Sequence, residues 1–134
     1  MKTIKTLLTL LVFGVLLNIF WGKALLSMGM PAAEYYLSLP ELMLSTAEAK
    51  RGDKNSISRL INYYGIYLNE KDKELFWMRK GAETGDPKFK YLLGKRILVS
   101  NPDKAEAIKL IESSASSGFE PAQEYLARYH RHNN

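Results

Sequence analysis

The amino-acid sequence predicts an all-α protein, a short α-solenoid of helix-turn-helix repeats behind an N-terminal signal or anchor helix. Three observations predict it. A long apolar run opens the chain. Glycines recur at 52, 85 and 118, a step of 33 residues. Between them apolar residues fall at helical spacing, and nothing suggests a strand.

The N-terminal element comes first. "MKTIKTLLTLLVFGVLLNIFWGKALLSMGM" begins with two lysines and is apolar from Leu7 to Trp21. A charged start followed by such a run reads as a secretory signal. Gly22-Lys23-Ala24 and Ser27-Met28-Gly29 are both poor small-x-small cleavage sites. With Lys23 snorkelling, residues 7–30 are also long enough to span a bilayer uncleaved. Residues 1–33 are therefore a signal peptide or an uncleaved membrane anchor. In either case Lys2 and Lys5 keep the N-terminus cytoplasmic and the rest is exported, to the periplasm of a bacterial cell. A buried core helix is disfavoured because the stretch has no polar face.

Composition narrows the function classes. The 134 residues suffice for one domain and contain no cysteine, so neither a disulfide framework nor a thiolate metal site is available. The net charge is +5. Lys2, Lys5 and Lys23 supply three of those charges, leaving 16 basic and 14 acidic residues from Glu34 onward. That balance argues against a dedicated nucleic-acid binder, which shows a basic patch or stripe.

Residues 34–134 carry the repeats. Ala49, Ala82 and Ala115 keep the 33-residue step, as do Leu60, Leu93 and Leu126. So do Leu44, Trp77 and Leu110, each eight residues before a glycine. A period shared by four columns marks a repeat array, and a glycine with no strand before it is not a phosphate loop. Within a unit, Ile57, Leu60, Ile61, Tyr64 and Leu68 follow helical spacing from Asp53. Asn69-Glu-Lys-Asp makes a polar turn. Leu75, Phe76, Met78, Arg79 and Ala82 form a second helix. Gly85 suits a left-handed C-cap, Asp86 caps the next helix and Pro87 occupies its first position. Asn101 and Pro102 are expected to repeat that cap and start. The count is two helix pairs, 53–84 and 86–117, after a half-unit at 42–50 and before a last helix at 120–131. An array this short is expected to be marginally stable.

These columns resemble the SEL-one-like repeat, a subclass of the tetratricopeptide-like helical repeats. Its unit opens with Gly, then Ala-Gln, Leu-Gly and Tyr, and closes with Lys-Ala, Trp and Ala-Ala-Glu-x-Gly. "GFEPAQEYLARYH" supplies Gly118, Ala122, Gln123 and Leu126; "LLGKR" supplies Leu93 and Gly94; "FWMRKGAETG" supplies Trp77, Lys80, Ala82, Glu83 and Gly85. The resemblance covers about residues 41–130 and implies a right-handed superhelix. Ser56 and Phe89 stand where the pattern has a small alanine, Ile61 replaces the second glycine, and the turn inside the pair is short. Phe89 in that column works against close packing of its helix pair.

Catalytic chemistry is not indicated, and no enzyme, metal or cofactor is expected. His130 and His132 lie two apart and do not share a helix face. Ser113 to Ser117 are accounted for by small polar residues in a packed last turn, and Trp77 by a core position. What remains is surface. In solenoids the first helix of each pair tends to line the concave side. Its outward positions are Asn55, Ser58 and Asn62; Lys88, Tyr91 and Lys95; Pro121, Glu124 and Arg128; the flanking column is Tyr63, Arg96 and Tyr129. Tyr and Arg are enriched in binding hot spots. The expected partner-binding residues are Asn62, Tyr63, Tyr91, Lys95, Arg96, Arg128 and Tyr129, the alternative being an ordinary solvated face. The partner expected is a protein, with no nucleic acid, and with membrane contact only through the N-terminal segment. The resemblance implies either an immunity protein that neutralises an envelope-acting toxin, such as a type VI secretion phospholipase effector, or a periplasmic scaffold.

Overall fold

The computed structural model describes residues 2–100 and 104–133. Among them seven α-helices form and no strand: α1 Lys2–Ser27, α2 Leu39–Lys50, α3 Lys54–Asn62, α4 Lys71–Glu83, α5 Pro87–Ser100, α6 Lys104–Ser116 and α7 Glu120–Asn133. The protein is all-α, with an apolar helix at its N-terminus. Asn101 and Pro102 lie outside the described residues, as do the side chains of Lys23 and His132. The chain divides into two compact units, Met1–Glu70 and Lys71–Asn134.

In the first unit, α1 carries a 19-residue stretch, Ile4–Gly22, long and apolar enough to cross a membrane, none of it buried within the protein before Gly22. Its far end is engaged. Gly22 is buried beneath the Tyr36 ring, which occupies the space a Cβ would need. Tyr36 Oη donates to the Asn18 carbonyl at 2.7 Å, and the Leu39 N–H donates to Asn18 Oδ1 at 2.6 Å. A 3-10 turn, Pro31–Tyr35, leads to α2. There the Ser38 N–H and Oγ both donate to the Glu41 carboxylate and close the first turn. Asp53 caps α3 by accepting from the Ser56 N–H at 2.7 Å. Ile57, Leu60 and Ile61 form the buried face of α3.

The end of α3 widens into a π-turn, Tyr63–Tyr67, in which the Leu68 N–H donates to the Tyr63 carbonyl five residues back at 2.9 Å. Tyr63 is buried and stacked on Tyr67, centroids 5.7 Å apart, and Tyr67 meets Tyr36 edge-on at 5.3 Å. Asn69, at φ 54°, ends the turn in the left-handed region that asparagine tolerates.

In the second unit each helix packs on the next, with α5 against α6 the most extensive pairing. Trp77, Met78, Phe89, Leu93, Ile97, Ala107, Ile111 and Ala122 are buried. Phe89 does not loosen the packing. Its ring, 2% exposed, lies over Gly81 of α4, where a Cβ would come within 2.5 Å of it. A small residue on α4 makes room for the large one on α5. Gly94 brings the backbones of α5 and α6 together: a Cβ there would lie 2.8 Å from the Ala107 carbonyl oxygen. The column of bulky residues before the glycines is uneven, with Trp77 buried, Leu110 partly covered and Leu44 exposed.

The junctions α2/α3, α4/α5 and α6/α7 share one geometry. Gly52, Gly85 and Gly118 have φ of 89°, 83° and 84°, and their N–H groups donate to Ala49, Ala82 and Ala115 at 3.0, 3.0 and 2.9 Å. Only glycine takes that φ without steric cost. Two further columns, four before and four after each glycine, are chemically different at each junction. Ser56 Oγ donates to Glu48 Oε2 at 2.6 Å; Phe89 fills the gap over Gly81; Ser114 and Ala122 are fully buried, with Ser114 Oγ donating to the Pro87 carbonyl at 2.6 Å.

Candidate functional site

The site is built on α5 and α7 of the second unit. Tyr91 and Lys95 are one turn apart on α5, and Tyr125 and Tyr129 one turn apart on α7, so each pair shares a helix face. The four side chains meet. The Tyr91 ring lies 5.6 Å from Phe119 and 6.4 Å, edge-on, from Tyr125. Tyr125 is stacked with Tyr129 at 6.3 Å, and Tyr129 meets His130 edge-on at 5.7 Å. Lys95 Nζ sits over the Tyr125 ring, 4.2 Å from its centroid, a cation–π contact. The result is a ladder of five ring side chains with a lysine at its middle rung. Its tyrosines are half-buried, so they are held in place while one edge stays in water. Burial, then the neighbouring Tyr129 and Tyr91, raises the Tyr125 phenol above its ordinary pKa, so it remains a neutral donor.

Phe119 is placed by the break of a column. Asp53 and Asp86 hold the residue after each junction glycine and both accept from a backbone N–H, Asp86 from Lys88 at 2.9 Å. Phe119 occupies the third such position and caps nothing with its side chain; its ring packs on Tyr91 instead.

The residues expected to bind a partner fall into different settings. Tyr91, Lys95 and Tyr129 join the ladder. Arg128 is exposed on α7, as are Pro121 and Glu124, and Lys88 is exposed on α5. Arg96 is held by an ion pair with Glu74 of α4, both side chains largely covered (20% and 13% exposed), and so braces α4 against α5. Asn55, Ser58, Asn62 and Tyr63 belong to the first unit, where Tyr63 is buried among tyrosines. Trp77 is buried in the core at 5% exposure.

Tyr125 and Phe119 were not read from the sequence as site residues. Their signals were present: Tyr125 and Tyr129 at i, i+4 on one helix, and an aromatic after Gly118 at the position that aspartates hold after Gly52 and Gly85. Among the described residues no group of three metal-ligating side chains comes together. No family model matches the chain, and no curated protein or solved structure matches it significantly.

Proposed function

We propose that the protein is an exported, non-catalytic protein-binding module, and within that class an immunity protein that blocks an envelope-acting toxin, such as a phospholipase effector of type VI secretion, by occlusion. The observation that carries the binding role is the ladder of half-buried tyrosines with Lys95 over Tyr125. Tyrosines with few rotatable bonds, already ordered by one another, lose little entropy on binding and offer both apolar area and a hydroxyl. A lysine beside them suits an acidic rim on the partner. The immunity reading rests on the resemblance to SEL-one-like repeats together with the export signal.

The test is co-expression in a cell that exports a candidate toxin taken from the genes neighbouring this one. The wild-type chain should restore growth and co-purify with that toxin. Tyr125→Ala with Lys95→Ala should bind at least tenfold more weakly, since a true hot spot contributes about 2 kcal/mol or more. The circular dichroism melt of the double variant should stay near wild type. A wild-type protein that neither protects nor co-purifies removes the immunity reading and leaves the periplasmic scaffold. Export is tested separately: alkaline phosphatase fused after Asn134 should be active, and an inactive fusion would place the second unit in the cytoplasm.

A further inference from the structure

We propose that α1 is retained as an anchor, and that Asn18, Gly22 and Tyr36 form a joint that seats the first unit on the bilayer, with Leu39 and Met43 immersed at the headgroup boundary. The occupant of that surface is phospholipid.

Asn18 is the first observation. It lies within the apolar stretch Ile4–Gly22, where a side-chain amide carries a cost in lipid. Both of its acceptors are used by the exported part of the chain. The backbone carbonyl takes the Tyr36 hydroxyl, and Oδ1 takes the Leu39 N–H, one of the first-turn donors of α2 that its own helix leaves without a partner. Cleavage at either poor site after α1's apolar stretch would strip α2 of that acceptor. Gly22 is the second observation. It is buried because the Cδ1–Cε1 edge of the Tyr36 ring fills the space of a Cβ there, and any larger residue would displace the ring. A leader destined for removal has no need of a fitted socket.

Depth follows from the same contacts. Asn18 is four residues inside the end of the stretch, about 6 Å along the helix axis. Leu39, hydrogen-bonded to it, must lie at the same level. The large apolar side chains next to that joint on α1 and α2 are uncovered by protein: Trp21 61%, Leu39 48% and Met43 67% exposed. Leu39 and Met43 are one turn apart and share a face of α2. These side chains continue the bare surface of α1, so the solvent that covers α1 also covers them. Tyr and Trp at this height match the aromatic belt of membrane proteins.

The chain contains no cysteine, so single labels are unambiguous. Full-length protein expressed in an exporting cell should keep the mass of the uncleaved chain and stay in the carbonate-washed membrane fraction; a mature mass lacking residues 1–24 or 1–29 overturns the proposal. Met43→Cys and Lys50→Cys, each carrying a bimane label, are then compared in phosphatidylethanolamine–phosphatidylglycerol vesicles. The label at 43 should be quenched by headgroup-level nitroxide lipid and shielded from iodide, and the label at 50 the reverse. Equal exposure of both labels to iodide overturns the proposal. Asn18→Leu keeps the span apolar but removes the side-chain acceptor. It should leave the protein in the membrane and raise iodide access at position 43 by roughly fivefold, the population change expected from one lost hydrogen bond. No change with Asn18→Leu would leave the joint without a role and overturn that part.

Discussion

Gly81 and Gly94 each lie under a neighbouring helix, but what faces them differs in how far it yields. A Cβ at Gly94 would meet the Ala107 carbonyl oxygen, fixed in the α6 backbone, at 2.8 Å. A Cβ at Gly81 would meet the Phe89 ring, a side chain that a shorter residue can replace. Forcing extra volume into a packed interface costs about 1–3 kcal/mol, while alanine regains up to about 1 kcal/mol of helix propensity. Gly94→Ala and Gly81→Ala should therefore both lower stability in chemical denaturation of the full chain in detergent. Adding Phe89→Leu should recover most of the loss for Gly81→Ala and none for Gly94→Ala. Equal responses would mean that Phe89 does not rest on Gly81.

At the scale of the helix, α2 begins on a carboxylate. The Ser38 hydroxyl and N–H bonds to Glu41, aided by Arg59 of α3 at 3.8 Å, hold the Glu41 pKa below its ordinary 4.5. A depressed folded-state pKa means that this contribution is fully present above the unfolded value and is lost as pH falls through the folded one. Glu41→Gln should therefore lower stability at neutral pH and flatten its decline on acidification below about pH 5. Parallel slopes for the two proteins would show that the cap carries no pH dependence. Helix ends of this kind were legible in the sequence. Gly85, Asp86 and Pro87 act within three residues of one another, and local chemistry decides them. The π-turn was not legible. Nothing in "YYGIY" distinguishes a five-residue turn from an ordinary one, yet it is in this turn that Tyr67 stacks on the buried Tyr63 and meets Tyr36 edge-on.

For the molecule as a whole, contacts between helices were the part that sequence spacing could not supply. Lys95 and Tyr125 are 30 positions apart, and Arg96 and Glu74 are 22 apart. Whether such pairs meet depends on the rotation of each helix, which a period fixes only on average. The burial of Leu93 was legible because its column repeats, and it is 3% exposed. Leu93→Ala should cost about 2–5 kcal/mol. Of the order of 5–15 kcal/mol holds an ordinary domain together, so much of the second unit's stability would go. A denaturation midpoint unchanged by the substitution would contradict the packing of α5 against its neighbours.

The three glycine corners are alike in backbone and unlike in what surrounds them. A chain with interchangeable corners risks closing the wrong two together, as a zip engages one tooth out of step. Here each corner has its own key: a hydroxyl on a carboxylate, a ring in a gap, a hydroxyl on a carbonyl. Ser56 offered to Gly81 leaves a hole, and Phe89 offered to Glu48 robs that carboxylate of its donor. The differences that blur the 33-residue period give each corner a fit that the other two cannot supply.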